Sequence, residues 1–180
     1  MSKAVEDLKK EHEAILFTLQ ILDKIVTLIG KRAAVSKEDM SDLINFLKEF
    51  ADKCHHGKEE GILFPAMVSA GVPEKGGPIG VMLSEHVTGR KLISNMAAAI
   101  SDNVDYNSFA KSAEEYIGLL RTHIHKENNI LFPMAEKILS RTKLEEIYAG
   151  FEEHEEKVIG KGRHEQLHAM LGKLNEKYLT

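Results

Sequence analysis

Two segments of this chain, 68 residues apart, repeat one another: His55-x-x-x-Glu59 followed by Ile62-Leu63-Phe64-Pro65, and His123-x-x-x-Glu127 followed by Ile130-Leu131-Phe132-Pro133. A histidine and a carboxylate four residues apart share one face of an α-helix. In the second copy that face is a long stripe: Phe109, Ala113, Tyr116, Leu120, His123, Glu127, Ile130 and Met134 follow alternating steps of four and three, the seam of a packed bundle. The first copy gives Ile44, Leu47, Ala51, His55, Glu59, Ile62 and Ala66. Each pair therefore interrupts an apolar seam and points into a core. A carboxylate buried there without partners costs several kcal/mol or takes up a proton, so a pair of them calls for a cation.

Two further seams each hold one histidine. Leu8, His12, Ile15, Leu19, Leu22 and Val26 form the first, and Met82, His86, Gly89, Ile93, Met96 and Ile100 the second. The chain thus reads as an internal duplication: His12 then His55/Glu59, and His86 then His123/Glu127. Helices are expected over 3 to 29, from a cap at Ser36 to about Ser69, from Pro78 to about Ser101, and from Asp105–Asn107 to about Leu139. A fifth, over about 142 to 176, takes its cap from Thr142-x-x-Glu145 and is bent at Gly160 and Gly162. Pro65 and Pro133 sit just past the His-Glu pairs and should kink or end their helices. Short loops between long amphipathic helices give antiparallel neighbours. The expected fold is all-α: one domain spanning 1–180, with an up-down-up-down four-helix bundle over about 3–139 and an additional C-terminal helix.

Composition narrows the setting. The net charge is −4 with both signs interspersed, so no basic stripe points to nucleic acid. No apolar run approaches the roughly 18 residues of a spanning helix, and the first residues are charged and amphipathic rather than signal-like. The single cysteine makes no internal disulfide, which fits a reducing, cytoplasmic location.

Four histidines and two glutamates exceed the needs of one tetrahedral zinc. Two metals fit: each takes two imidazoles, both glutamates bridge, a solvent oxygen makes five, and a sixth position stays open. Mixed nitrogen and oxygen ligation with a vacancy is iron-like. The expected ligand is a small diatomic or peroxide, admitted by an apolar pocket from residues such as Leu16, Ile62, Gly89 and Leu120.

The pattern His…His-His-x-Lys-Glu-Glu-x-x-Leu-Phe-Pro…Glu-His…His-x-x-x-Glu resembles the hemerythrin-like, HHE cation-binding family over nearly the whole chain. The resemblance implies an antiparallel four-helix bundle with a non-haem di-iron centre, two iron ions with a bridging oxo or hydroxo group. Its ligands here would be His12, His55, Glu59, His86, His123 and Glu127. Members of that family carry dioxygen, sense oxygen or redox state, respond to nitric oxide or repair iron-sulfur clusters. The dioxygen carriers place two histidines four apart on the third helix, whereas Met82 and Arg90 flank His86 here. The four-histidine, two-glutamate set looks closer to the nitric-oxide and repair group. The same ligands would also serve a cation storage or sensing module without turnover.

Other polar residues receive plainer readings. His56 and His125, rotated away from the seams, are expected at the surface. His164-Glu165-Gln166-Leu167-His168 matches the zinc-protease pattern His-Glu-x-x-His, but only twelve residues follow it to supply a third ligand, so an amphipathic surface face is favoured. Tyr116 reads as a packed seam tyrosine and Cys54 as a buried structural thiol.

Overall fold

The computed structural model describes residues 1–160 and 162–180, which contain helices and short connections and no strand. The first rod is α1 (Lys3–Gly30), capped by the Ser2 hydroxyl accepting from the Val5 N–H at 3.3 Å. The second runs from α2 (Lys37–Phe46) through wide π-helical turns at Leu47–His56 and Glu59–Leu63 into α3 (Phe64–Ser69). The third is α4 (Pro78–Ala99), opening on proline as expected. The fourth comprises α5 (Tyr106–Lys126), a π-helical turn Glu127–Leu131, and α6 (Phe132–Ile138).

Side-chain pairs fix the directions of the rods. Ser2 meets Glu136, His12 meets Asn128 and Asp23 meets Arg121, so the first and fourth rods run antiparallel. Lys37 meets the Ser101 carbonyl, Asp52 meets Arg90 and Glu60 meets His86, which sets the second against the third. Asp7 and Glu11 reach Lys58 and His55, and Glu85 reaches His123, completing an all-α bundle of antiparallel neighbours.

The π turns change the seam predicted from sequence. A π turn carries about one residue more than an α turn, so the buried stripe steps four and four, from His55 to Glu59 to Leu63 and from His123 to Glu127 to Leu131. Leu131 is 1% exposed, while Ile130, placed on the seam by a uniform helical period, is 55% exposed. Pro65 and Pro133 neither end nor break their rods. Each sits in the first turn of the α-segment after the wide turn, where a missing N–H is tolerated.

The C-terminal region departs from the expected single bent helix. It forms α7 (Arg141–Val158) and α8 (Arg163–Tyr178), separated where Gly160 and Gly162 both take φ of +80°, a left-handed conformation that ends a helix. The α7 cap is Ser140, accepting from the Lys143 N–H at 3.2 Å, rather than Thr142. Both helices pack on the bundle, α7 through Leu144, Ile147 and Phe151 and α8 through Leu167, Leu171, Leu174 and Tyr178.

The buried apolar side chains fall into two clusters. One contains Leu19, Phe46, Phe50, Met96, Phe109 and Tyr116 with the inner face of α8. The other contains Val5, Leu8, Leu63, Phe64, Met82 and Phe132 with the inner face of α7. Along the rods, the buried histidines and glutamates fall where one cluster gives way to the other and so form a polar layer across the bundle.

Candidate metal centre

All six residues expected to ligate come together. His12, His55, His86 and His123 are each about 1% exposed, and Glu59 and Glu127 are fully buried. Glu127 Oε2 lies 3.1 Å from His12 Nε2 and its Oε1 lies 3.1 Å from His123 Nε2. Glu59 places Oε2 3.4 Å from His86 Nε2 and Oε1 3.8 Å from His55 Nε2. Each glutamate thus spans one histidine from each half of the chain.

The outer nitrogens show a second regularity. His12 Nδ1 is 2.9 Å from Asn128 Oδ1, His55 Nδ1 is 2.8 Å from Glu11 Oε2, His86 Nδ1 is 2.7 Å from Glu60 Oε1, and His123 Nδ1 is 2.8 Å from Glu85 Oε2. These oxygens accept, so Nδ1 donates, and a neutral ring is left with its lone pair at Nε2, pointing inward. That is the arrangement by which second-shell partners orient metal-ligating imidazoles. His86 Nε2 and His123 Nε2 then face one another at 3.1 Å. Two lone pairs at that distance repel, but about 3 Å is the separation of neighbouring ligands on one ion with bonds of roughly 2.1 Å.

The duplication accounts for all four anchors. Each paired histidine is held by the glutamate that precedes its half's lone histidine: Glu11 for His55, Glu85 for His123. Each lone histidine is held by the residue after the other half's ligand glutamate: Asn128 for His12, Glu60 for His86. The lysine three residues after each paired histidine completes the scheme, Lys58 on Glu11 at 2.7 Å and Lys126 on Glu85. Even the phenylalanines exchange: Phe132 stacks on His12 at 5.4 Å and Phe64 on His86 at 6.0 Å. None of these anchors was picked out from sequence, although the repeated Glu-His dipeptides, Glu11-His12 and Glu85-His86, carried the signal.

Electrostatics agree that the layer is incomplete as protein alone. Burial and then the neighbouring Glu127 charge push Glu59 well above the usual carboxylate range. Burial would raise Glu127 too, but the neighbouring His12 and His123 rings, each 3.1 Å away, hold it well below that range. His55, pressed mainly by burial, and His86 are shifted to favour the neutral ring. The inward Nε2 of His12 and His55 and all four oxygens of Glu59 and Glu127 lack hydrogen-bond partners. Buried polar atoms are rarely left so, and this donor set suits cations. One donor atom from each of His12, His55, Glu59 and Glu127 lies within 4.8 Å of the others, and a second such group is His56, Glu59, His86 and His123.

His56 therefore corrects the expectation that it faces solvent. It is 3% exposed, and its ring stacks on His86 with centroids 3.8 Å apart. The rotation of the π turns carries it inward. His125 is exposed, as expected. Ile62 packs on Gly150 of α7, while Gly89 and Leu120 meet against Tyr116. Tyr116 is fully buried, with its hydroxyl unpartnered. Glu11, Cys54 and Glu155 also cluster, but the Lys58 ammonium bonds Glu11, Glu155 and Asp7 at 2.7, 2.9 and 2.9 Å and occupies the cation position. Burial, then the Glu11 charge, push the Cys54 thiol up to about 12, which suits a structural residue. His164 and His168 face each other at 3.1 Å on α8, and among the described residues no third donor completes a ligand triad.

Comparison with known proteins places these features. A family model described as the hemerythrin HHE cation binding domain matches residues 3–135. An uncharacterised protein of Mycobacterium tuberculosis is 23% identical over 87% of this chain and 63% of its own length. The iron-sulfur cluster repair protein YtfE of Yersinia pestis is 30% identical over 63% of this chain and 53% of its own length. The chain thus spans between about half and two thirds of the length of these relatives. No solved structure matches it.

Proposed function

Since the chain belongs to the hemerythrin HHE cation-binding family, we propose that its polar layer is a non-haem di-iron centre that binds or reacts with a small molecule, dioxygen, nitric oxide or peroxide. His12 and His55 would hold one iron, His86 and His123 the other, with Glu59 and Glu127 shared and an oxo or hydroxo bridge between. The observation that carries this reading is the common posture of four imidazoles, each tied at Nδ1 by an outer acceptor and turned at Nε2 toward two buried carboxylates. Similarity to an iron-sulfur cluster repair protein supports a role in that chemistry or in the stress defence and sensing that accompany it.

When bound, the iron pair supplies a redox couple and Lewis-acid positions for small ligands. The chain's own residues do the rest. The acceptors on Nδ1 make the rings better donors and fix their orientation. Phe64 and Phe132 cover two of the rings and keep bulk water away. Because every ligand is buried, a reactant must be of diatomic or peroxide size, which argues against a macromolecular substrate at this centre. No helix among the described residues is long and apolar enough to cross a membrane. With the free, buried Cys54 this supports a cytoplasmic setting.

Loading with ferrous iron under anaerobic conditions should give about two ions per chain, and oxidation should give the near-ultraviolet bands of a bridged iron pair, lost in His123→Ala. Rapid mixing of the reduced protein with dioxygen, nitric oxide and peroxide should perturb the spectrum with at least one. Inertness to all three would leave a cation storage or sensing module, and a chain that takes up no iron would end the reading.

A further inference from the structure

The two halves of the centre correspond closely, and one of their differences changes the set of nitrogen donors. His56 follows the first paired histidine; at the equivalent position after the second stands Ile124. Both are 3% exposed, so the site is buried in each half, but Ile124 belongs to the apolar core while His56 brings a third ring against His86 and His123. Its posture matches that of the four other histidines. Nδ1 is turned to an outer carboxylate, Asp52 Oδ1 at 3.4 Å, which Arg90 Nε in turn holds at 2.7 Å. Nε2 is buried and has no hydrogen-bond partner.

Resting on the di-iron reading above, we propose that His56 is a fifth imidazole ligand, given to the ion held by His86 and His123, so that the two metal positions are chemically unequal. Its donor atom lies within 4.8 Å of those of Glu59, His86 and His123, a span close to twice a metal–nitrogen bond of about 2.1 Å. That position then draws on His56, His86, His123, Glu59 and Glu127. The other draws on His12, His55 and the same two glutamates.

The full chain, loaded anaerobically with isotopically enriched ferrous iron and examined by Mössbauer spectroscopy, tests this. The wild type should show two quadrupole doublets of equal area. His56→Ile, which copies Ile124, should bring the two environments together and weaken uptake of one iron by at least about tenfold. His56→Phe, which keeps a ring stacked on His86 without the nitrogen, should weaken it equally. Retention of wild-type iron affinity and doublets by His56→Phe would show that the ring only packs, and would overturn the proposal. Two irons with a single doublet in the wild type would overturn it while leaving the di-iron reading intact, whatever the folding of the variants. No iron uptake by the wild type would remove both.

Discussion

At the level of single residues, four buried imidazoles are each oriented by an acceptor that stands beside a seam. A histidine at a seam position is conspicuous because it breaks an apolar period. Glu11, Glu60, Glu85 and Asn128 stand one residue outside the seams, where polar side chains are ordinary, and only the exchange of partners between halves gives them meaning. Removing one should loosen the ring it orients without emptying the site. Asn128→Ala, which frees His12 Nδ1, should weaken iron binding about 10- to 100-fold by competition with a chelator. The ligand glutamates make a sharper prediction because they serve the loaded protein at the expense of the empty one. Glu59 and Glu127 lie fully buried beside each other, and burial and mutual charge work against ionising both. In the metal-free chain Glu59→Gln should therefore raise the urea midpoint, on the order of 1 kcal/mol of stability. In iron-loaded protein the same substitution should lower it. A loss of stability in both forms would mean that the carboxylate has a structural role of its own.

Elements were predicted well where one helical period governs, as in α1 and α4, and less well where the turn widens. Periodicity cannot register a π turn, since the sequence around His55 and His123 still reads as plausible α-helix; the exposed Ile130 and buried Leu131 betray it only in three dimensions. The C-terminal pair escapes for another reason: two glycines two residues apart, Gly160 and Gly162, signal a bend or a break equally. Besides its apolar face, α7 is tied to the bundle by Lys58, wholly buried beneath Asp7, Glu11 and Glu155. Burial opposes its charge, but Glu11 and Asp7 outweigh that and hold the ammonium protonated. Lys58→Met would leave these acids facing one another, and should cost about 3–5 kcal/mol in urea unfolding. The α8 contact is softer and sensitive to pH. Two bonds of 2.8 Å from Arg163 hold Glu49 below the usual carboxylate value. A lowered folded value means stabilisation that is present above the unfolded value near pH 4.3 and lost as pH falls through the folded one. For so exposed a pair it amounts to at most about 1 kcal/mol. Amide protection factors in α8, corrected for intrinsic exchange at each pH, should fall between pH 5 and pH 3, and Glu49→Gln should flatten that change.

For the whole molecule, the important fact is that each half supplies what the other needs. Glu127 reaches His12 and Glu59 reaches His86; Phe132 covers His12 and Phe64 covers His86. The polar layer is consequently also the seam between halves, placed between two apolar clusters that each draw on all four rods. Without a cation, that seam joins two carboxylates and four inward lone pairs. With one, it becomes a cross-link between residues more than a hundred apart in the chain. Ligand that binds only the folded state stabilises it by about 2.7 kcal/mol at a hundredfold excess over Kd, and for a chain of this size each kcal/mol moves Tm by about 2–4 °C. Stripping iron with a chelator under reducing conditions should therefore lower Tm by about 5–10 °C. It should do so in a single transition, because the seam touches both clusters at once. Two separated transitions after chelation would mean that the clusters hold together independently, and that the metal ties down only one of them.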